Sequence, residues 1–107
     1  MNKNPFNLLD DKWDLIYKLH MKKFGYQKQL TVLLEELIEL EKPCIKIKRN
    51  YENDRKNSIK LIYQFHEEYV DVLTMMYQFI DYLDKDMIDA IIVEKYKRAC
   101  ERVGIEP

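Results

Sequence analysis

Glycine and proline, the residues that most often mark turns, are scarce in this chain: it has 2 glycines and 3 prolines among 107 residues. A protein built from many short strands needs more turn residues than that. Leu, Ile, Tyr, Lys and Glu are abundant instead, and 35% of the residues are charged. Such a composition is typical of a helical protein. We therefore predict an all-α chain that forms a single domain over residues 1–107.

Several other features are missing, and each absence argues against a class of protein. No apolar run is long enough to span a bilayer, and no signal-peptide core is present, so we expect a cytoplasmic protein without a membrane partner. The net charge of −1 and the mixing of acids with bases give no reason to expect a polymeric nucleic acid as partner. Cys44 and Cys100 lie in no motif suited to zinc, so we expect reduced thiols.

The first half of the chain predicts two helices. The first runs from about Leu8 to Phe24, where Gly25 should end it in a left-handed cap. The second begins near Tyr26 and should kink or stop at Pro43, because proline lacks the N–H that would bond four residues back. Beyond Pro43, residues 45–48 alternate like a short strand, which is weak evidence alone, and residues 49–57 have the composition of a loop.

The second half predicts two more helices. The third begins after Ser58 and runs to about Leu83, with two adjacent apolar rows along its length. The fourth begins at Asp86, with Asp89 in a capping-box arrangement, and ends at Gly104. A helix as apolar as the third must be covered on more than one side. We therefore predict a four-helix bundle-like chain completed by oligomerisation, as a homodimer or homotetramer.

The most informative feature is a pair of acidic clusters on apolar helices. Carboxylates recur at spacings of three or four residues, which places them on one helix face. Burying such carboxylates is costly unless a cation compensates them, and Mg²⁺ and Mn²⁺ prefer oxygen ligands. Each cluster alone reads more simply as a solvated helix face. The clusters comprise Glu35, Glu36 and Glu39 on the second helix, and Glu67, Glu68 and Asp71 on the third.

The order of motifs resembles the MazG-like, all-α nucleoside triphosphate pyrophosphohydrolases. The matching stretches cover about three quarters of the chain: Phe24-Gly25 followed by a glutamine, Glu35 to Leu40, Glu67 to Asp71, and Lys95 to Gly104. This resemblance implies Mg²⁺-dependent hydrolysis of a nucleoside triphosphate to the monophosphate and pyrophosphate. It also implies four metal ligands, which fall here on Glu36, Glu39, Glu68 and Asp71. Mn²⁺ is an alternative cation.

Two features depart from the family's pattern. Ala99 stands between Lys95 and Arg102 in a register where the family often has an asparagine, and the connection after Pro43 is long. Both bear on the identity of the substrate more than on metal binding.

Further roles follow from the chemistry of a triphosphate. Glu35, outside the tightest ligand set, can orient or deprotonate the attacking water. Lys95, Arg98 and Arg102 recur at spacings of three and four, which suits contact with pyrophosphate oxygens, although an ordinary polar helix face fits them equally well. A catalytically inactive helical module that binds a nucleotide or a protein is the alternative function.

Aromatic residues of the first helix are candidates for a nucleobase pocket. Trp13, Tyr17 and His20 follow one another at spacings of three and four, and aromatic rings stack well on bases. Core packing is the more common role for Trp13 and Tyr17. A di-iron bundle does not fit the sequence, because neither acidic cluster has a histidine three residues after a glutamate.

Overall fold

A computed structural model describes residues 10–107, and this part of the chain contains helices and no strand. The all-α prediction is therefore confirmed for these residues, whereas the predicted start of the first helix at Leu8 lies outside them. The elements in order are α1 (Asp11–Phe24), α2 (Tyr26–Glu52), α3 (Ile59–Gln78), a 3₁₀ turn (Ile80–Tyr82) and α4 (Lys85–Val103).

Side-chain caps explain where three of the helices begin. Asp10, Ser58 and Asp84 each accept a hydrogen bond, 3.0 Å long, from the backbone N–H three residues on. These bonds satisfy donors that a helix N-terminus otherwise leaves without a partner. The predicted start of the fourth helix at Asp86 is wrong, because Asp84 is the capping residue. Helix α4 ends at Gly104, as expected, and Gly104 adopts the left-handed conformation.

Gly25 separates α1 from α2 and has a backbone conformation that belongs to neither helix. Its φ of 85° is positive, but its ψ of 160° lies outside the left-handed helical region that the sequence predicts. This conformation is almost restricted to glycine. The prediction of the helix end was therefore correct, while the predicted cap conformation was wrong.

Helix α2 continues through Pro43 to Glu52, so it does not stop at Pro43, one of the two outcomes that the sequence predicted there. A proline inside a helix costs about 3 kcal/mol, because it removes one backbone hydrogen bond and crowds the preceding turn. Pro43 is fully buried, and α2 packs along α3 as the main helix pair of the fold. We attribute the continued helix to this long contact, which also makes residues 45–48 helical and shortens the expected loop.

Helices α2 and α3 form an antiparallel hairpin, and α1 packs against both of them. The buried apolar side chains at this junction come from α1 and from α3 with its C-terminal cap. They are Tyr17, Met21, Val72, Met75 and Phe79. The small core therefore lies at the end of the hairpin where α1 crosses it.

Helix α3 ends at Gln78, earlier than the predicted Leu83. The apolar row continues beyond Gln78, but the backbone tightens into the 3₁₀ turn, and Leu83 is extended. The cap formed by Asp84 starts a new helix in a new direction. The apolar periodicity therefore predicted an end of α3 that lies beyond the observed end.

Helix α4 stands apart from the other helices of residues 10–107. No Cα atom of α4 lies within 8 Å of a Cα atom in α1, α2 or α3. Many of its apolar side chains are exposed: Met87, Ile88, Ile91, Ile92, Val93, Tyr96 and Val103. The accessible surface is 9178 Å², whereas a compact monomer of this mass exposes about 6,400 Å². A single copy thus buries little of its apolar surface, and oligomerisation stays a prediction.

None of the helices in residues 10–107 has both the length and the apolar character that a bilayer-spanning helix requires.

Candidate metal centre

Three carboxylates from two helices meet on the inner side of the α2–α3 hairpin. Glu36 is on α2, and Glu68 and Asp71 are one turn apart on α3. One carboxylate oxygen from each residue can be chosen so that all three lie within 4.8 Å of one another. We call these three residues the acidic triad. The helix spacing of three residues and the antiparallel pairing of α2 with α3 bring them together.

Glu39, the fourth predicted ligand, does not join this group. Its Oε1 atom lies 3.2 Å from the Nζ atom of Lys42, one turn along the same helix. Glu39 is nevertheless near enough for its charge to raise the pKa of Glu68. The structure therefore brings together three of the four predicted ligands, with Glu39 beside them and paired with a lysine.

The triad is electrostatically unfavourable without a cation. Burial is the main cause that raises the pKa of Glu36, and the charges of Asp71, Glu68, Glu39 and Glu35 raise it further. Burial likewise raises the pKa of Glu68, followed by the charges of Asp71 and Glu39, while Lys42 opposes this shift. Both residues are half-buried. Carboxyl groups whose pKa values rise together are typical of a site that holds a cation or a shared proton.

The geometry of the triad fits a hard divalent cation. Mg²⁺ binds oxygen at about 2.0–2.1 Å, so two of its ligands are at most about 4.2 Å apart. At most one pair of the three can lie on opposite sides of an octahedral ion, and neighbouring ligands are about 3 Å apart. The spacing of up to 4.8 Å in the triad therefore has to close by up to about 2 Å through side-chain rotation. Three carboxylates leave coordination positions for water or phosphate oxygens. These donors fit Mg²⁺ or Mn²⁺ by their chemistry but do not choose between them.

A groove of about 390 Å³ extends from the triad toward α1. Its walls come from α1, α2 and α3, and they combine two acids, one lysine, two buried amides and several apolar side chains. The lining residues are His20, Phe24, Lys28, Gln29, Val32, Glu36, Asp71, Thr74, Met75 and Gln78. A volume of this size is in the usual range for small-molecule sites.

Of the predicted base-pocket residues, only His20 lines this groove. Tyr17 is 4% exposed and its ring is stacked between those of Trp13 and Tyr77, with centroid distances of 5.8 and 6.4 Å. The structure therefore supports the core-packing alternative for Tyr17, whereas Trp13, whose ring stacks against it, is 40% exposed. Phe24, which the sequence analysis did not assign, takes the aromatic position beside His20.

The predicted catalytic and phosphate-binding residues lie in different places. Glu35 is exposed on α2, next to the triad in sequence but outside it. Lys95, Arg98 and Arg102 are exposed on α4, which does not approach the triad within one copy of the chain. Lys28 is the one lysine or arginine among the described residues that line the groove, and its Nζ atom lies 5.5 Å from the centre of the Phe24 ring.

Sequence reasoning missed the two buried glutamines of the groove, Gln29 and Gln78. A signal was available, because Gln29 precedes Val32 and Glu36 at spacings of three and four on the inner face of α2. Gln78 similarly follows Asp71 and Met75 on α3. A polar residue in the inner row of an apolar helix calls for a partner inside the fold.

Comparison of this chain with family models, curated proteins and solved structures gives no match in any of the three. The acidic triad, the groove beside it and the order of the sequence motifs are therefore the features that indicate a function.

Proposed function

We propose that the protein is a Mg²⁺-dependent nucleoside triphosphate pyrophosphohydrolase of the MazG-like type, which converts a nucleoside triphosphate and water into the monophosphate and pyrophosphate. Mn²⁺ is an alternative cation. The observation that carries the proposal is the convergence of Glu36, Glu68 and Asp71 from two helices at the end of a groove with aromatic and amide walls. The order of the sequence motifs supports the same reaction.

The residues of the chain have distinct roles in this proposal. Glu36, Glu68 and Asp71 hold the cation, which when bound neutralises phosphate charge and lowers the pKa of a coordinated water. Glu39 lies next to them, and its carboxylate has to separate from the Nζ atom of Lys42 before it can bind the cation as a fourth ligand. Glu35 accepts the proton of the water that attacks the α-phosphorus. The nucleoside occupies the groove, away from the negatively charged triad.

A second copy of the chain belongs to the proposal. The leaving pyrophosphate requires cations, and among residues 10–107 of one copy Lys28 is the only lysine or arginine in the groove lining. Lys95, Arg98 and Arg102 lie on α4, whose apolar side chains are also exposed. Association into a homodimer or homotetramer would bury those apolar side chains and place the cations of one copy near the triad of another.

The test is a panel of ribonucleoside and deoxyribonucleoside triphosphates incubated with Mg²⁺, with products separated by anion-exchange chromatography. We expect monophosphate and pyrophosphate, and no product in EDTA or with the Glu36→Gln variant. In ¹⁸O-water the label should appear in the monophosphate, because attack at the α-phosphorus makes pyrophosphate the leaving group. Label in pyrophosphate would contradict attack at the α-phosphorus.

A non-catalytic nucleotide-binding module is the second candidate. The separation of the α4 cations from the triad within one copy favours it, since phosphate contacts are then incomplete. Nucleotide that binds tightly with Mg²⁺ in calorimetry but is recovered intact after long incubation would support this function and refute turnover.

A further inference from the structure

Helix α3 carries a second apolar row that is largely exposed. Val72, Met75 and Phe79 pack into the core, whereas the row beside them advances in alternating steps of three and four residues. We call this row the outer seam. Several of its side chains are exposed, among them Ile59 at 89% and Met76 at 55%. Within α3 the outer seam comprises Ile59, Ile62, His66, Tyr69, Leu73 and Met76.

The period of the outer seam is that of a coiled coil. Alternating steps of three and four repeat every seven residues, and in such a repeat the side chains of one helix insert between those of a partner helix. The positions directly after Ile62, Tyr69 and Met76 are also uncharged, which widens the apolar face. His66 interrupts the row, but its Nδ1 atom lies 2.7 Å from the carbonyl oxygen of Ile62. That nitrogen therefore keeps a partner when the ring is buried.

The two ends of the outer seam have complementary shapes. At the N-terminal end, the side chain of Ile59 projects into solvent and Ile62 is 40% exposed. At the C-terminal end, α3 and the turn after it form an apolar groove of about 260 Å³, which is lined by Leu73, Met76, Tyr77, Ile80 and Leu83. An antiparallel partner of the same sequence places the projecting end of each copy against the groove of the other.

The distribution of charge favours an antiparallel pair over a parallel one. Residues 45–60, at the end of the α2–α3 hairpin, contain six lysines and arginines and two acids, whereas residues 81–89 contain four aspartates and one lysine. A parallel pair would place the two basic ends side by side. An antiparallel pair separates them by the length of α3, about 30 Å, which is several times the screening length of about 8 Å in physiological salt. It also brings each basic end near an acidic segment of the partner.

The exposed area is sufficient for such an interface. The accessible surface exceeds that of a compact monomer of the same mass by about 2,800 Å². A stable interface of standard size buries about 800 Å² on each partner. A two-fold contact uses the same face of both copies, so one association covers both outer seams.

We propose that a second copy of the chain covers the outer seam, with the two α3 helices antiparallel about a two-fold axis between Tyr69 and Leu73. In this arrangement Ile62 of each copy lies opposite Ile80 of the partner subunit, at the apolar groove. The inference goes beyond the proposed function, which requires a second copy but does not specify the face that binds it.

Disulfide cross-linking tests the orientation of the two helices. The background carries Cys44→Ser and Cys100→Ala, so that the introduced thiols are the only ones. Ile62→Cys and Ile80→Cys chains with different tags are co-expressed and oxidised. We expect a cross-link between the two variants and none when either is expressed alone. A cross-link of Ile62→Cys to itself would indicate parallel helices and overturn the inference, as would a dimer without the link between positions 62 and 80.

Sedimentation velocity tests the association itself. Met76→Lys places a charge on the outer seam and should raise the dissociation constant of the dimer by about 100-fold or more. Each copy loses one apolar contact, and each contact is worth about tenfold. Glu67→Lys is the matched control, because it adds a lysine at an exposed position of α3 outside the seam. It should change the dissociation constant by less than about tenfold. Circular dichroism establishes that each variant folds.

The outcomes separate this inference from the proposed function. A wild type that stays monomeric at micromolar concentration, or a dimer that Met76→Lys leaves intact, would overturn the association through α3 even if triphosphates are hydrolysed. A dimer with the expected cross-link that neither binds nor hydrolyses any triphosphate would support the α3 contact and refute the proposed function.

Discussion

Replacing Glu68 with glutamine should stabilise the metal-free protein, because it removes one of three carboxylate charges that lie close together. Glu68 has an oxygen within 4.8 Å of oxygens on both Glu36 and Asp71. Two like unit charges at that distance in water repel by about 0.9 kcal/mol. Removing Glu68 relieves two such pairs, and salt at physiological strength screens part of the gain. The expected stabilisation is about 1 kcal/mol.

The assay is thermal unfolding followed by circular dichroism, in EDTA at pH 7. A gain of about 1 kcal/mol corresponds to a rise in melting temperature of about 4–8 °C for a domain of this size. Glu67→Gln is the matched control, because it removes the same charge from the same helix but outside the triad. It should raise the melting temperature by less than half as much.

Adding Mg²⁺ should reverse the order of stability. A ligand at a hundred times its dissociation constant stabilises the folded state by about 2.7 kcal/mol. The wild type should gain this in Mg²⁺, whereas Glu68→Gln should gain much less because it lacks one ligand. The reasoning is refuted if Glu68→Gln melts no higher than Glu67→Gln in EDTA, or if it responds to Mg²⁺ as strongly as the wild type.

Four further results are expected. Because the pKa values of Glu36 and Glu68 are raised above the usual 4.5, their contribution to metal-free stability is full below about pH 4.5 and is lost as pH rises through the folded-state values. The melting-temperature advantage of a variant with both glutamates changed to glutamine should therefore grow from pH 4 to pH 7 in EDTA, and a constant difference would contradict this. Glu35→Gln should retain metal and nucleotide binding in calorimetry but lose about 10²–10⁴-fold in kcat, as expected for a general base; an unchanged kcat would exclude that role. Arg102→Ala should chiefly raise KM, whereas Lys97→Ala, on the same helix, should leave KM unchanged. Sedimentation velocity at micromolar concentration should show a dimer or tetramer, and a stable monomer would argue against a site shared between copies.

The helices were predictable from the sequence where local chemistry decides them. Ser58 starts a helix by accepting a backbone hydrogen bond, and Gly25 and Gly104 end helices because other residues rarely adopt their positive φ. Predictions failed where packing outweighed local preference. At Pro43 the long α2–α3 contact carries the helix past a residue that usually ends one.

The candidate site was predictable only in part. Glu36, Glu68 and Asp71 could be selected because each sits in or beside an apolar row, and helical spacing of three or four fixes which residues of one helix share a face. Spacing within a helix says nothing about which residue of another helix lies opposite. That is why Glu39, equally well placed on α2, lies near Lys42 instead of joining the triad.

The sequence by itself determined that the chain is helical, where its caps lie and which acids share a helix face, because these depend on neighbours within a few residues. The tertiary structure alone decided the rest. It paired α2 with α3 so that three carboxylates meet, and it placed α1 across them to form a groove. It also buried Tyr17 in the core and brought Gln29 and Gln78 to one cavity. These features depend on contacts between residues far apart in the chain, which no local pattern specifies.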